Sequence, residues 1–317
     1  MQSQTIYSLS RPSMSSTLDI SIKYKVDAQN EANEIIEQGY AEANRLIGII
    51  SAWQAGTELY EVNSQAGIKP VKVCDELYFL IKRSLRLSDI TQGLFDVTFA
   101  SIDKVWYFDK PIVEKPTKEK IEASVKNINY KYIVLDEAQK TVFITNKGTK
   151  IELGAIGKGY IANKIKIKLL SLGIEAGIVN AGGDMTCWGD SLHEHKFWKI
   201  GISDPNKKEG HIAWLPIHNE AVATSGNYER FALIDGTMYS HIINPLTGYP
   251  VRGIKSVTVV NPDAELCDVL ATSIFLMGTQ KGLDFANNYE DIKCFIVDEN
   301  DDYHYSDNLK QQYYQKI

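Results

Sequence analysis

The sequence predicts a mixed α/β (α+β) protein in which helices and strands alternate and build two interleaved lobes. Helical runs, with apolar residues three and four positions apart, alternate with short strands along all 317 residues. The hydrophobic content of 44% is that of an ordinary globular protein. Because the chain contains no internal repeat and no low-complexity tract, we expect one functional domain over residues 1–317.

The individual elements are predicted from their periodicity and their turn residues. Asp27 is expected to cap the first helix, whose apolar stripe reaches Ile50. Further helices are predicted at 75–88, 161–172, 263–277 and 281–287. Strands are predicted at 17–24, three times within 130–153, and at 178–179, 197–202, 212–217, 256–260 and 293–297, with one more ending at His241. Residues 221–228 are predicted to form a polar glycine turn, and the Pro- and Lys-rich residues near 110–120 a surface excursion.

Charge and composition exclude several classes of protein. The net charge is −6 and lysines are interspersed with acidic residues, which argues against a nucleic-acid partner. No apolar run reaches the ~18 residues of a transmembrane helix, and the first 16 residues do not resemble a signal peptide. We therefore expect a cytoplasmic protein, or a periplasmic one whose export signal has been removed. The four cysteines are far apart and are expected to be free thiols.

The stretch 151–184 is predicted to form a strand, a glycine-rich turn, a helix ending at Gly173, a second strand and another glycine turn. Glycines at a helix N-terminus, together with the positive charge of Lys158, favour a phosphate group. The P-loop pattern fails, because Glu152 and Gly159 occupy two of its required positions. A dinucleotide-binding pattern fits loosely, but Asn180 replaces its acidic residue. A glycine turn needed only for packing is the alternative.

Three further groups of residues are candidates for chemistry. Asp268 and Thr272 lie one helical turn apart and suit a hard cation such as Mg²⁺. The alternative is a solvated Asp beside a Thr that bonds its own helix backbone. His241 ends a strand before a Pro/Gly turn and is either a base or a packing residue. The aromatic candidates for stacking on a flat ring, with the core as their alternative, are Trp53, Phe95 and Tyr228.

Seven motifs in series make the chain resemble a known family. They are Ser51-Ala-Trp with Thr57-Glu-Leu and Asn63, Gly93-Leu-Phe-Asp-Val-Thr98 with Trp106, Gly154-Ala-Ile-Gly-Lys-Gly159, Asn180-Ala-Gly-Gly-Asp184, Ala223-Thr-Ser-Gly226, Ser240-His-Ile-Ile-Asn-Pro245 with Gly248, and Asp268-Val-Leu-Ala-Thr272. In this order, between Met14 and Gly278, they resemble the ApbE family, the FAD:protein FMN transferases.

The resemblance implies an ApbE-like (T-fold-like) architecture and a Mg²⁺-dependent enzyme that cleaves FAD. Such an enzyme attaches FMN to a threonine hydroxyl of an acceptor protein through a phosphoester bond and releases AMP. The metal ligands implied by position are the Ala155 carbonyl, Asp268 and Thr272, and His241 is the implied base. The implied contacts with FAD are Met14, Trp53, Leu94, Phe95, Asp96, Glu152, Lys158 and Ile242.

The chain departs from the family pattern at three positions. Met14-Ser15-Ser16 stands where Met-Gly-Thr is usual, and Glu152 and Asn163 each replace an Asp. No lipobox cysteine is present, although many relatives are exported lipoproteins. Two other functions remain compatible with the same motifs. One is hydrolysis of FAD to FMN and AMP, and the other is storage of FAD without turnover.

Overall fold

The computed structural model describes residues 3–108, 115–207, 209–227, 231–234 and 237–313. The strands are β1 Gln4–Ser13, β2 Ser16–Lys25, β3 Val71–Lys72, β4 Ile133–Asp136, β5 Thr141–Ile144, β6 Gly177–Ala181, β7 Asp184–Trp188, β8 Trp198–Ser203, β9 His211–Ile217, β10 Ala221–Gly226, β11 Phe231–Ile234, β12 Thr237–Ser240, β13 Ile254–Asn261, β14 Lys293–Asp298 and β15 Tyr303–Tyr305. The helices are α1 Gln29–Ile50, α2 Glu58–Ser64, α3 Asp75–Ile90, α4 Lys118–Ser124, α5 Gly154–Ser171, α6 Ala264–Met277, α7 Thr279–Asn287 and α8 Asp307–Tyr313.

The chain divides into two compact units that alternate along the sequence. Unit 1 comprises Met1–Leu46, Ile156–Gly226 and Ile254–Ile317, and unit 2 comprises Ile47–Ala155 and Asn227–Gly253. Helices and strands are mixed in both, so the predicted fold class is confirmed. None of the helices in the described ranges is long and apolar enough to cross a membrane.

Unit 1 is built on an eight-stranded sheet in the order β1-β2-β6-β7-β10-β13-β14-β15. Its described strand pairs are all antiparallel. This pattern rules out the dinucleotide-binding reading, which needs parallel strands joined by crossover helices. Helix α1 approaches the sheet closely at Gly39, where a Cβ would lie 2.9 Å from Cδ1 of Ile20.

Helix α5 begins earlier than the sequence predicts. Residues 154–159 are helical, so the expected glycine turn before the helix is wrong. Gly159 is needed for packing, because a Cβ there would lie 2.2 Å from the carbonyl oxygen of Ala264 at the start of α6. The end of the helix is as predicted: Gly173 has a φ of +83°, and the N–H of Ile174 bonds the carbonyl of Leu169 at 3.1 Å.

Strand β10 replaces the polar turn that was predicted over 221–228. Its small residues pair with β13 along the whole strand and with β7 at Ala221 and Val222. Pairing with β13 and β7 provides hydrogen-bond partners for the backbone of a segment whose Thr, Ser and Gly residues indicated a turn. Strand β1, which has a largely exposed face, was also not predicted, and neither were β15 and α8 in the polar tail. Asp27 does not cap α1, since it lies two residues before the helix with a φ of +61°.

Unit 2 contains the three-stranded sheet β3-β5-β4 and the hairpin β11-β12. Two strands, rather than the predicted three, form between 130 and 153. The third segment is held by the side chain of Asn63, which accepts from the N–H of Ile151 at 2.7 Å and donates to its carbonyl at 2.8 Å. Residues 109–114 of the expected surface excursion lie outside the described residues, and Lys115 and 117–120 are exposed.

Candidate active site

Two buried carboxyl groups meet in unit 1. Asp184, at the start of β7, is 3% exposed, and Asp268, in the second turn of α6, is 6% exposed. The two side chains are close enough to share a hydrogen bond, and Lys158 of α5 forms an ion pair with Asp184. Burial raises the pKa of Asp184, against the opposing effects of Lys158 and Asp268. The charged group of Lys158 and two buried carboxyl groups therefore lie together in unit 1.

Thr272 lies one turn after Asp268 on α6, as the spacing predicts. Its hydroxyl oxygen is 3.0 Å from Oγ of Ser225 at the end of β10. The neighbouring Ser273 behaves differently, because its hydroxyl donates to the helix carbonyl of Val269 at 2.7 Å. The alternative of a solvated Asp beside a back-bonded Thr is therefore wrong on both points. Asp268 is buried, and Thr272 bonds a residue of another element.

Asn163, which stands where the family pattern has Asp, supports the N-terminus of α6. Asp263 caps the helix by accepting from the N–H of Glu265 at 2.8 Å. Its Oδ1 also accepts from the side-chain amide of Asn163 at 2.7 Å. An Asp at position 163 would place a second carboxylate against this cap, whereas the amide supplies a donor. Asn163 therefore fits the cap that this chain has.

The hairpin turn at Met14 lies beside the second glycine turn. Met14 and Ser15 both have left-handed backbone, with φ of 50° and 60°, as a two-residue hairpin turn requires. The N–H of Gly182 bonds the carbonyl of Thr17 at 2.9 Å. A Cβ at Gly182 would lie 2.8 Å from Oγ of Ser16 and 3.7 Å from Cδ of Lys158. Met14 thus belongs to a hairpin whose second strand begins beside Gly182 and Lys158.

Asp96 is a buried carboxylate of unit 2, and its partners are neutral donors. Its Oδ1 accepts from the N–H of Thr98 at 2.7 Å and from the hydroxyl of Thr98 at 2.6 Å. Its Oδ2 accepts from the N–H of Tyr130 at 2.9 Å. Burial raises the pKa of Asp96, while these three hydrogen bonds oppose the rise. The carboxylate thereby ties the 93–98 loop to the segment at 130.

The other predicted FAD contacts of unit 2 differ in exposure. Phe95 is 4% exposed and Trp53 is 71% exposed, and Leu94 is half-buried. The side chain of Phe95 is thus largely buried, and Tyr228 lies outside the described residues. Glu152 is fixed at its N–H by the carbonyl of Val97 at 2.8 Å. Its carboxylate would be displaced by any side chain at Gly154, where a Cβ would lie 2.6 Å from Oε1. Ala155 lies in the first turn of α5.

His241 is half-buried in a loop that its neighbours hold firmly. The N–H of Ile242 bonds Oγ of Ser240 at 3.1 Å, and the carbonyl of Ile242 accepts from Val251 at 2.9 Å. Further along, the indole N–H of Trp106 bonds the carbonyl of Gly248 at 2.8 Å. These bonds fix the backbone that follows His241. Within unit 2, His241 and Ile242 are therefore adjacent in one ordered loop.

Asp184 and Ser225 were not predicted to have a role, although both belong to motifs that were singled out. The sequence feature that could have indicated them is a polar residue directly beside a glycine, at the end of a short apolar run. In the described ranges, no group of three or more His, Cys, Asp or Glu side chains could hold a metal ion. A cation bound here would therefore rely on Asp268, hydroxyl oxygens and backbone carbonyls. That oxygen set is the kind Mg²⁺ prefers, since it keeps several waters and few protein ligands.

The model of the ApbE family matches residues 14–296. The chain belongs to the ApbE family. Among curated relatives, the FAD:protein FMN transferase of Klebsiella pneumoniae (strain 342) is 29% identical over 95% of this chain and 92% of its own. The enzyme of the same name from Treponema pallidum (strain Nichols) is 28% identical over 84% of this chain and 78% of its own.

Solved structures of the family share the fold. The crystal structure of the ApbE protein of Thermotoga maritima has a TM-score of 0.85 and 29% identity, and covers 97% of this chain and 99% of its own. The flavin transferase ApbE of Vibrio cholerae has a TM-score of 0.81 and 25% identity, with coverage of 98% and 99%. The mixed α/β architecture is thus that of the family.

Proposed function

We propose that the protein transfers FMN from FAD to a threonine hydroxyl of an acceptor protein through a phosphoester bond. The proposal rests on membership of the ApbE family, whose relatives above are named FAD:protein FMN transferases. The observation that carries it is the buried pair Asp184–Asp268 with Lys158 and Thr272 in unit 1. Charged and hydroxyl groups held in this way suit a reaction at phosphate oxygens.

In this reaction the threonine oxygen forms a bond to the phosphorus of the FMN half of FAD. The P–O bond to the bridging oxygen breaks, and AMP leaves with that oxygen. The threonine proton must pass to a base, and His241 is the proposed acceptor, because an imidazole is suited to this transfer near neutral pH. We further propose that residues 1–317 act as one flavin transferase domain, since a single family model spans residues 14–296.

The proposed cation is Mg²⁺, held by Asp268, Thr272 and the carbonyl of Ala155. When bound, it would neutralise charge on the phosphate oxygens of FAD. Asp268 supplies the full negative charge of this set, and its burial keeps that charge from being screened by water. Lys158 is proposed to share its positive charge between Asp184 and the pyrophosphate.

The remaining FAD contacts are proposed residue by residue. In unit 1, Met14 is proposed to contact the nucleotide from the hairpin turn. In unit 2 the exposed indole of Trp53 is available to stack on a flat ring. The other proposed contacts in unit 2 are Leu94, Phe95, Asp96, Glu152 and Ile242.

Detection of flavin covalently attached to another protein tests the proposal directly. The host-cell proteins used below are those in an extract of the organism from which the chain comes. The purified protein is incubated with FAD, Mg²⁺ and host-cell proteins, and a denaturing gel is scanned for flavin fluorescence. Mass spectrometry of the fluorescent band should find FMN, less one water, on a threonine, with an equal amount of AMP released. The Asp268→Ala variant is the control and should give no band.

Two other outcomes would contradict transfer and identify the alternatives. FMN and AMP formed at the same rate with and without host-cell proteins, and no labelled band, would show an FAD pyrophosphatase. FAD that stays bound and intact with Mg²⁺ and the same proteins present would show a flavin-binding protein without turnover.

A further inference from the structure

Two hydroxyl groups meet where β10 passes α6 in unit 1. Oγ of Ser225 and Oγ1 of Thr272 are 3.0 Å apart, and either can be the donor. Both residues are half-buried. A helical Ser or Thr commonly donates to its own helix backbone, as Ser273 does to Val269 at 2.7 Å. Thr272 instead directs its hydroxyl to a residue on the sheet.

A hydroxyl that binds a cation has a specific requirement. It uses an oxygen lone pair for the cation and keeps its hydrogen, which must be donated to another acceptor. The bound cation withdraws electron density from the oxygen and makes the O–H a stronger donor. A residue that accepts this hydrogen therefore fixes the hydroxyl and strengthens the metal site. Ser225 is at the right distance from Thr272 for this task.

The strand beneath Ser225 is well supported. Strand β10 pairs with β13 over its whole length, with Ser225 opposite Val257. Successive side chains of a strand point to opposite faces, and the neighbouring Thr224 accordingly bonds Thr258 of β13 through the hydroxyl groups at 2.8 Å. The two adjacent residues thus make the same kind of bond, one to α6 and the other within the sheet. Thr224 therefore provides a matched control for Ser225 on the same strand.

We propose that Ser225 is a positioning residue of the metal site. It accepts the hydrogen of the Thr272 hydroxyl and so holds the Thr272 oxygen ready for a divalent cation. The inference rests on the proposed function, because it presupposes a cation at Asp268 and Thr272. It adds a role for the Ala223-Thr-Ser-Gly226 motif, whose polar residues have no other part in the proposed reaction.

The test measures Mg²⁺ affinity by isothermal titration calorimetry of the purified full chain, alongside a melting curve. The variants are Ser225→Ala, Ser225→Thr and the control Thr224→Ala. Losing a residue that orients a metal ligand typically costs 10–100-fold in affinity, so we expect a loss of about 10-fold for Ser225→Ala. Ser225→Thr keeps the hydroxyl and should stay within about 3-fold of the wild type. Thr224→Ala should bind Mg²⁺ as the wild type does, even though its melting temperature falls similarly.

Unchanged Mg²⁺ affinity in Ser225→Ala would overturn the inference, as would an equal loss in Thr224→Ala. If Ser225→Ala does not fold, Ser225→Cys takes its place, because a thiol is nearly the same size but a weak acceptor. The variants Asp268→Asn and Thr272→Ala show whether a negative result contradicts only the role of Ser225 or the metal site as a whole. A loss in both of them without a loss in Ser225→Ala contradicts only the role of Ser225. Wild-type affinity in both contradicts the metal site itself, and the role of Ser225 with it.

Discussion

The two units each bury a carboxylate, and the partners of the two carboxylates differ. Asp96 in unit 2 receives three hydrogen bonds from neutral donors of its own loop and of residue 130. Asp268 in unit 1 lies against a second carboxyl group, Asp184, whose ion-pair partner is Lys158. A carboxylate surrounded by N–H and O–H donors is satisfied and holds a loop in place. Two carboxyl groups side by side leave negative charge that favours a cation. Partners, rather than burial, therefore distinguish Asp96 from the aspartate that is proposed to bind the cation.

The largest effect is expected from Asp268→Ala. It removes the only full charge of the proposed metal site, so Mg²⁺-dependent FAD turnover should be abolished, a larger effect than the roughly 10²–10³-fold cost of losing one electrostatic contact. The fold should persist, because the lost group leaves Asp184 paired with Lys158. Steady-state AMP release and a melting curve measure the two effects. Wild-type turnover with an unchanged Mg²⁺ dependence would remove Asp268 from the site.

His241→Ala extends the comparison to a second residue of unit 2. Loss of a general base should slow FMN transfer by about 10²–10⁴-fold. FAD and Mg²⁺ affinity should stay within a few-fold, because His241 is not proposed to bind either. Single-turnover transfer to a labelled acceptor measures the rate, and His241→Asn should be as slow, since an amide cannot take the proton. Near-normal transfer by the folded variant would make His241 a packing residue.

Asp96→Ala should act mainly on stability. Removing its carboxylate leaves the N–H groups of Thr98 and Tyr130 without their acceptor. Each unsatisfied buried donor costs about 1–3 kcal/mol, so we expect a loss of about 2–4 kcal/mol in the free energy of unfolding, measured by urea denaturation. Mg²⁺ affinity should not change. An unchanged unfolding free energy would contradict this structural role, and lower FAD affinity in a variant of wild-type stability would leave Asp96 with only its proposed contact to FAD.

Lys158→Met should lower the free energy of unfolding by less than Asp96→Ala does. It leaves Asp184 buried without its cation, and the partial exposure of Lys158 limits the cost to about 1–3 kcal/mol. Adding Asp184→Asn should recover much of that loss, whereas FAD affinity should stay low in both variants. Thermal melts and FAD titrations of the single and double variants provide the measurements. Normal FAD affinity in Lys158→Met would show that the lysine serves only its ion pair.

Local patterns predicted the helix that carries the site, and tertiary contacts decided the rest. Helix α6 was predicted from its apolar periodicity, and the spacing of Asp268 and Thr272 placed both on one face. The meeting of Asp184 with Asp268 could not be predicted, because it depends on which strands flank β7 and how α6 crosses them. The same holds for Gly159, whose role is the close contact with Ala264 and not a phosphate turn. Strand β10 was missed because its neighbours, not its composition, make it a strand.

Mg²⁺ titration of three proteins tests most directly whether Asp268 of unit 1 holds the cation. Calorimetry is performed on the wild type, Asp268→Asn and Asp96→Asn, two substitutions that keep side-chain size and remove one charge each. Because ligand charge sets cation affinity, Asp268→Asn should bind about 10²-fold more weakly, while Asp96→Asn binds as the wild type does. Equal affinity in all three proteins, or a loss only in Asp96→Asn, would contradict the proposal that Asp268 of unit 1 binds the cation.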